Sequence, residues 1–146
     1  MATSNVSSVD PGEIWQLIET KTPSASTSET FSSISGYRTL MVSYKGLTLG
    51  TAGQDIRLRI NGNSTTGNYA STAYNYIFLG YGNGAGSGYA IIYDANQAVP
   101  HRVQSHYGEL PDEKAFFYGS PDVVTSLVVS PTSGTFTGTI YLYGLA

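Results

Sequence analysis

The sequence predicts an all-β protein: a two-sheet antiparallel β-sandwich of jelly-roll type with eight to ten strands. Short apolar-rich runs recur at intervals of about 8–15 residues, separated by Gly, Pro and Asn, which is typical of sandwiches and barrels. Several runs alternate apolar and polar residues, and none has the length and period of a long helix. The 146 residues suffice for one domain with a substantial core, and the absence of cysteine excludes disulfides. Eight or more antiparallel strands in a domain of this size favour two packed sheets.

The N-terminal part divides into an arm and a first strand. Residues 1–11 (MATSNVSSVDP) are small and polar, so we expect a flexible arm ahead of a single β-sandwich domain over residues 12–146. Residues 14–20 predict the first strand, because their β-branched residues and the following Pro23 favour a strand over a short helix. Trp15 has apolar neighbours in this run and is predicted to lie in the core.

Two runs give the clearest strand signal. In residues 55–60 (DIRLRI), the side chains of Ile56, Leu58 and Ile60 fall on one face and the charged side chains on the other. In residues 136–143 (FTGTIYLY), an apolar face alternates with a face of two threonines and two tyrosines. Both patterns predict strands that bury one face.

The remaining turns and strands are predicted from weaker patterns. Residues 61–63 (NGN) suit a tight turn, because Asn and Gly tolerate positive φ. Residues 123–129 are apolar at nearly every position and lie between two prolines, which predicts a central strand. Residues 80–88 (GYGNGAGSG) predict a wide, flexible hairpin tip, since they lack the lysine and the following helix of a phosphate-binding loop. Further strands are predicted at residues 30–34, 37–44, 74–79, 89–93, 102–107 and 115–118.

Composition and residue patterns argue against several functions. Charged residues make up 12% of the chain and the net charge is −3, so the clustered basic charge of a duplex binder is missing and no nucleic-acid partner is predicted. No run approaches the roughly 20 apolar residues of a membrane span, and residues 1–9 lack a secretory pattern, so no membrane partner is expected. His101 and His106 are five positions apart and face opposite sides of a strand, so no metal site or cofactor is predicted. No nucleophile–base pattern or facing pair of acids is present; we predict no catalytic residues and expect that the chain is not an enzyme.

Tyrosines bracket the glycine-rich segment and form the candidate contact surface. Tyr74 and Tyr76 share a strand parity, so their rings are expected on one face. Such rings, with nearby Asn and Ser, are suited to stacking on a glycan, and tyrosine is equally favoured in packing and in subunit contacts. The candidate contact residues are Tyr74, Tyr76, Tyr81, Asn83, Tyr89 and Tyr93.

Several stretches, taken in order, resemble the small jelly-roll virion structural proteins of tailed bacteriophages, a group of capsid decoration proteins and fibre modules. The resemblance covers most of residues 13–146. Ile60 stands where an aromatic residue is more usual, and Asn63 where an acid is common. The matching stretches are WQLI at residues 15–18, YRTLMVSYKG at 37–46, IRLRINGN at 56–63, GNYA at 67–70 and GTIYLYG at 138–144.

This resemblance implies a non-enzymatic virion structural protein, and a capsid decoration or cement protein above all. The expected partner is the major capsid protein or another virion protein, the expected location is the capsid surface rather than the tail, and a homotrimer is the favoured oligomer. The alternative is a receptor- or carbohydrate-binding module of a tail or head fibre that uses the tyrosines and the segment at residues 80–88. Glycan binding therefore stays open at this point.

Overall fold

The structure is a computed structural model that describes residues 14–69, 74–80, 86–107 and 113–146. Over these ranges the chain forms ten strands and no helix, so none of the described residues belongs to a helix able to cross a membrane. In chain order the strands are β1 (Gln16–Lys21), β2 (Glu29–Phe31), β3 (Thr39–Leu49), β4 (Ile56–Ile60), β5 (Ile77–Gly80), β6 (Ser87–Ile92), β7 (His101–Tyr107), β8 (Glu113–Tyr118), β9 (Leu127–Pro131) and β10 (Phe136–Leu145).

The strands form two antiparallel sheets with the connectivity of a jelly roll. The larger sheet has the order β1-β10-β3-β6-β7-β8, and the smaller has the order β2-β9-β4-β5. With β7 and β8 set aside, the remaining eight strands pass from one sheet to the other at every step except β4 to β5, as in a double Greek key. The antiparallel pair β7–β8 extends the larger sheet beyond β6. The predicted fold class and strand number are confirmed.

The core lies between the two sheets and follows from strand alternation. On β4, the side chains of Ile56, Leu58 and Ile60 are at most 1% exposed, whereas Arg57 and Arg59 between them are half-buried on the outer face. Full burial of one such aliphatic side chain contributes about 1.5–3 kcal/mol. The alternation in this run therefore predicted both the strand and its buried face correctly.

The central strand predicted at residues 123–129 begins later than expected. β9 starts only at Leu127, and Val123 is 39% exposed. Ahead of β9 the backbone is held by a side chain, because the Oδ1 atom of Asn61 accepts a hydrogen bond of 2.8 Å from the N–H of Thr125. Apolar composition thus indicated the strand but not the residue at which it starts.

The segment that follows β5 is not the hairpin predicted at residues 80–88. β5 pairs with β4 in the smaller sheet, whereas β6 lies between β3 and β7 in the larger one. The chain therefore crosses here between two layers, and packed sheets are about 10 Å apart. Residues 81–85 of this segment, and the arm predicted at residues 1–11, lie outside the described residues.

Candidate functional site

Tyr74 and Tyr76, two of the predicted contact residues, lie together with Phe78 at the start of β5. The ring centroids are 6.4 Å apart for Tyr74–Tyr76, 5.2 Å for Tyr74–Phe78 and 5.1 Å for Tyr76–Phe78, with interplanar angles of 62°, 82° and 63°. Edge-to-face pairs of this kind contribute about 0.5–1.5 kcal/mol each beyond burial. The rings pack on one another rather than forming a flat platform, and Tyr74, at 39% exposure, is open to solvent.

Polar groups surround this aromatic cluster. The hydroxyl of Tyr76 donates a hydrogen bond of 3.3 Å to Oδ2 of Asp55. Partial burial raises the pKa of Asp55, and the Tyr76 hydrogen bond opposes that rise. Burial also raises the pKa of Tyr76, with the charge of Asp55 adding to it, so the hydroxyl keeps its proton and acts as a donor. The Tyr76 hydroxyl therefore has the Asp55 carboxylate as its hydrogen-bond acceptor and the guanidinium of Arg57 close enough to interact with it electrostatically.

Tyr89 and Tyr93 lie on the other sheet. Tyr89 is on the outer face of β6 and stacks on His106, with ring centroids 5.6 Å apart at 28°. Tyr93 follows β6 and lines a surface depression that Arg38 and Arg102 border. The four described contact residues therefore divide two and two between the sheets, because the connection after β5 crosses from the smaller sheet to the larger. Tyr81 and Asn83 lie outside the described residues.

The two histidines face opposite sides of β7, as their spacing predicted. His101 is fully buried, with Nδ1 3.1 Å from the carbonyl oxygen of Tyr93 and its ring stacked on Tyr118 at 6.0 Å. His106 lies on the outer face beside Tyr89. Among the described residues, no group of three or more His, Cys, Asp or Glu side chains is arranged to hold a metal ion.

An exposed apolar edge on β1 was missed in the sequence. Trp15 was predicted to be in the core, but it is 40% exposed, and its neighbours Ile14 and Leu17 are 50% and 56% exposed. β1 is an edge strand of the larger sheet, and β10 is the strand that it pairs with. A run of apolar residues carries no local signal that its strand will lie at a sheet edge, so the prediction for Trp15 was wrong.

The outer face of the larger sheet is a second surface that the sequence did not reveal as a unit. Register places Tyr143 opposite Met41, Met41 opposite Ile91, and Ile91 opposite Gln104. The next row along the sheet runs from Tyr141 through Ser43 and Tyr89 to His106. Each of these side chains is half-buried. Alternation in β10 had predicted that Tyr141 and Tyr143 lie off the core face. It could not predict their neighbours on that face, because those residues come from β3 and β6, which are distant in sequence.

No protein-family model matches this chain, and no curated protein matches its sequence.

Proposed function

We propose that this protein is a non-enzymatic structural protein of a tailed-phage virion, a capsid decoration or cement protein that binds the major capsid protein on the outer shell. The observation that carries the proposal is the exposed apolar edge formed by Ile14, Trp15 and Leu17 on and just before β1. The resemblance of the chain to small jelly-roll virion proteins, stated above on its sequence motifs, supports the same class.

The chemistry of this edge suits protein docking. Large apolar side chains are rarely clustered on the surface of an isolated domain, and burying one contributes about 1.5–3 kcal/mol. An outer strand also offers backbone N–H and C=O groups to an added strand. Leu17 is directly opposite Tyr143, so its side chain lies on the outer side of the sheet, where a partner reaches it.

The scaffold behind the edge suits a protein that acts by binding. One continuous core joins both sheets, with fully buried side chains from each, including Leu58 of the smaller sheet and Val42 of the larger. In such a core a load applied at β1 is shared by packed layers rather than by a single hairpin. The mechanism is then binding energy: each copy buries surface on neighbouring capsid subunits and stabilises them against internal pressure.

Two variants test this capsid contact. We expect that Leu17→Lys weakens binding to particles that lack the protein by about 10- to 100-fold, since it removes one apolar anchor and adds a charge. Deleting residues 1–11 is expected to lower occupancy while circular dichroism shows an intact fold, because the arm leads directly into this edge. Occupancy is measured by co-sedimentation with particles, and the added density by negative-stain imaging.

The matched control is Thr30→Lys, which places the same charge at an exposed site on β2, an outer strand of the smaller sheet. It is expected to leave occupancy unchanged. Equal occupancy for Leu17→Lys and the unmodified protein contradicts the role of the β1 edge, and density on the tail instead of the head contradicts capsid decoration.

Carbohydrate binding is the second candidate function, favoured by the aromatic cluster of Tyr74, Tyr76 and Phe78. The exposed Tyr74 ring offers a stacking surface, and the carboxylate and guanidinium beside Tyr76 offer hydrogen bonds to sugar hydroxyls. On a glycan array this function predicts saturable binding that is lost in Tyr74→Ala and kept in Tyr141→Ala, which removes a tyrosine from the other sheet. An array without binding, together with strong affinity for capsids, favours decoration.

A further inference from the structure

A depression on the larger sheet lies where β3 and β7 begin and β6 ends. Its volume is about 680 Å³, within the roughly 300–1,000 Å³ of small-ligand sites. We call it the arginine depression; its lining includes Arg38, Thr39, Tyr93, Asp94 and Arg102. Neither the β1 edge assigned to the capsid nor the aromatic cluster of the smaller sheet contributes to its described lining.

Sheet pairing brings the two arginines together although they are distant in sequence. β6 is antiparallel to both β3 and β7, so its end lies between their starts. The N–H of Tyr93 donates to the carbonyl of Arg102 at 3.0 Å, and the carbonyl of Arg38 accepts from the N–H of the second residue after Tyr93 at 2.8 Å. Asp94 has φ of 55°, a left-handed conformation that turns the chain as it leaves β6. Backbone hydrogen bonds and this turn therefore hold three charged residues at one place.

These three charged side chains do not neutralise one another. Arg38, Asp94 and Arg102 are all exposed. Within the part of the chain that the structure describes, neither arginine is ion-paired with a carboxylate; the ion pair found there joins Lys21 and Glu19. The described lining thus has two positive groups and one negative group, in a chain whose net charge is −3. An anion that enters gains charge-assisted hydrogen bonds without first breaking an ion pair of the protein.

We propose that the arginine depression binds a sugar that carries a carboxylate, such as a uronic acid. The inference goes beyond both candidate functions, because it concerns another surface and a charged ligand. Planar guanidinium groups donate paired hydrogen bonds to a carboxylate. The half-buried ring of Tyr93 offers a face to the sugar ring, and the Thr39 hydroxyl and the Asp94 carboxylate offer hydrogen bonds to sugar hydroxyls.

The topology favours such a compact ligand over an extended peptide. β3, β6 and β7 each lie between two other strands of the larger sheet, so their backbone groups are already paired and a peptide has no free edge to join. Recognition in the arginine depression therefore relies on side chains. A phosphate group also suits arginine, but it carries nearly two charges at neutral pH and is repelled by Asp94 more strongly than a single carboxylate is.

The test is an NMR chemical-shift titration of the full chain with D-glucuronate, D-glucose and acetate. We expect saturable binding of D-glucuronate with a Kd of about 1 mM, since the ligand has few atoms. Glucose lacks the carboxylate and acetate lacks the hydroxyls, so each is expected to bind about 10-fold more weakly or less well still. Arg38→Gln and Arg102→Gln are each expected to weaken D-glucuronate binding by about 10-fold or more, because each removes charge-assisted hydrogen bonds. Both positions are exposed, so the fold is expected to stay intact.

The matched control is Lys45→Gln, which removes one positive charge at an exposed site toward the other end of β3. It is expected to bind D-glucuronate as the unmodified chain does. Absence of saturation at about ten times the expected Kd overturns the inference. Unchanged binding in Arg38→Gln or Arg102→Gln overturns it as well. Acetate, glucose or triglutamate that binds as tightly as D-glucuronate overturns the choice of a sugar acid as the ligand.

Two further measurements separate this site from the proposed functions. Tyr74→Ala is expected to keep D-glucuronate binding; its loss contradicts this site and supports the aromatic cluster of the smaller sheet instead. Arg102→Gln is expected to keep capsid occupancy, because β10, β3 and β6 lie between β7 and the β1 edge. A chain that binds D-glucuronate but never binds capsids contradicts only the capsid proposal, and one that binds capsids but no D-glucuronate contradicts only this inference.

Discussion

At the residue scale, Asn61 connects the turn after β4 to the segment before β9. It has φ of 53° and is followed by Gly62 with φ of 66°, and the N–H of Asn63 donates to the carbonyl of Ile60 at 2.9 Å. This is the tight turn that the Asn-Gly pair predicts after β4. The amide of Asn61 also reaches the segment before β9, where its Nδ2 donates to the carbonyl of Val123 at 2.9 Å. One side chain therefore fixes both a turn and the approach to a strand.

Replacing Asn61 separates these two roles. We expect Asn61→Ala to lower the free energy of unfolding by about 2–4 kcal/mol, since it adds about 1 kcal/mol of left-handed strain to the loss of hydrogen bonds worth about 1 kcal/mol each. Asn61→Gly keeps the backbone conformation and loses only the hydrogen bonds, so its loss is expected to be smaller. Urea denaturation measures both.

The control for Asn61 is Asn96→Ala, at an exposed position whose side-chain contact is a 3.3 Å hydrogen bond from Gln97. Its expected effect is within about 0.5 kcal/mol. If Asn61→Ala is as stable as the unmodified protein, the amide does not hold the segment before β9. If Asn61→Gly and Asn61→Ala are equally destabilised, the left-handed backbone at this turn carries no cost.

At the scale of the elements, alternation and turn chemistry predicted what is local. The buried face of β4 and the turn after it follow from about eight consecutive residues. Alternating burial and positive φ both depend on residues that are adjacent in sequence. The start of β9 was misjudged because the carbonyl of Val123 and the N–H of Thr125 bond to the side chain of Asn61 instead of to a neighbouring strand, and the apolar run gives no sign of this. The burial of Trp15 was predicted wrongly for a similar reason. The exposure of a residue beside an edge strand depends on which strands pair with that strand.

In the candidate site too, the sequence predicted contacts between residues close in sequence but not contacts between residues on distant strands. Tyr74 and Tyr76 are two residues apart, so their shared face follows from strand parity, and the structure places their rings together. Tyr89 was grouped with them because it flanks the same glycine-rich segment, but that segment joins different sheets. The set of side chains on the outer face of the larger sheet depends on the register of β10, β3 and β6, which no short stretch of sequence determines.

At the scale of the whole molecule, the two sheets share one core, and this predicts that they unfold together. Leu58 of the smaller sheet is fully buried, and Leu58→Ala is expected to cost about 2–5 kcal/mol by leaving a cavity. Trp15, the only tryptophan, lies beside β1 of the larger sheet and reports on the sheet that was not mutated. Its fluorescence and far-UV circular dichroism are expected to shift to the same lower urea midpoint, at one fixed protein concentration.

Thr30→Ala is the control for this coupling, because Thr30 is exposed on β2 of the same sheet as Leu58 and its truncation opens no cavity. Its midpoint is expected to stay close to that of the unmodified protein. A Leu58→Ala protein whose circular dichroism midpoint falls while the Trp15 midpoint stays in place has sheets that unfold separately. The shared core is also what lets an edge such as β1 hold a partner, since a strand that detaches from its sheet releases whatever is bound to it.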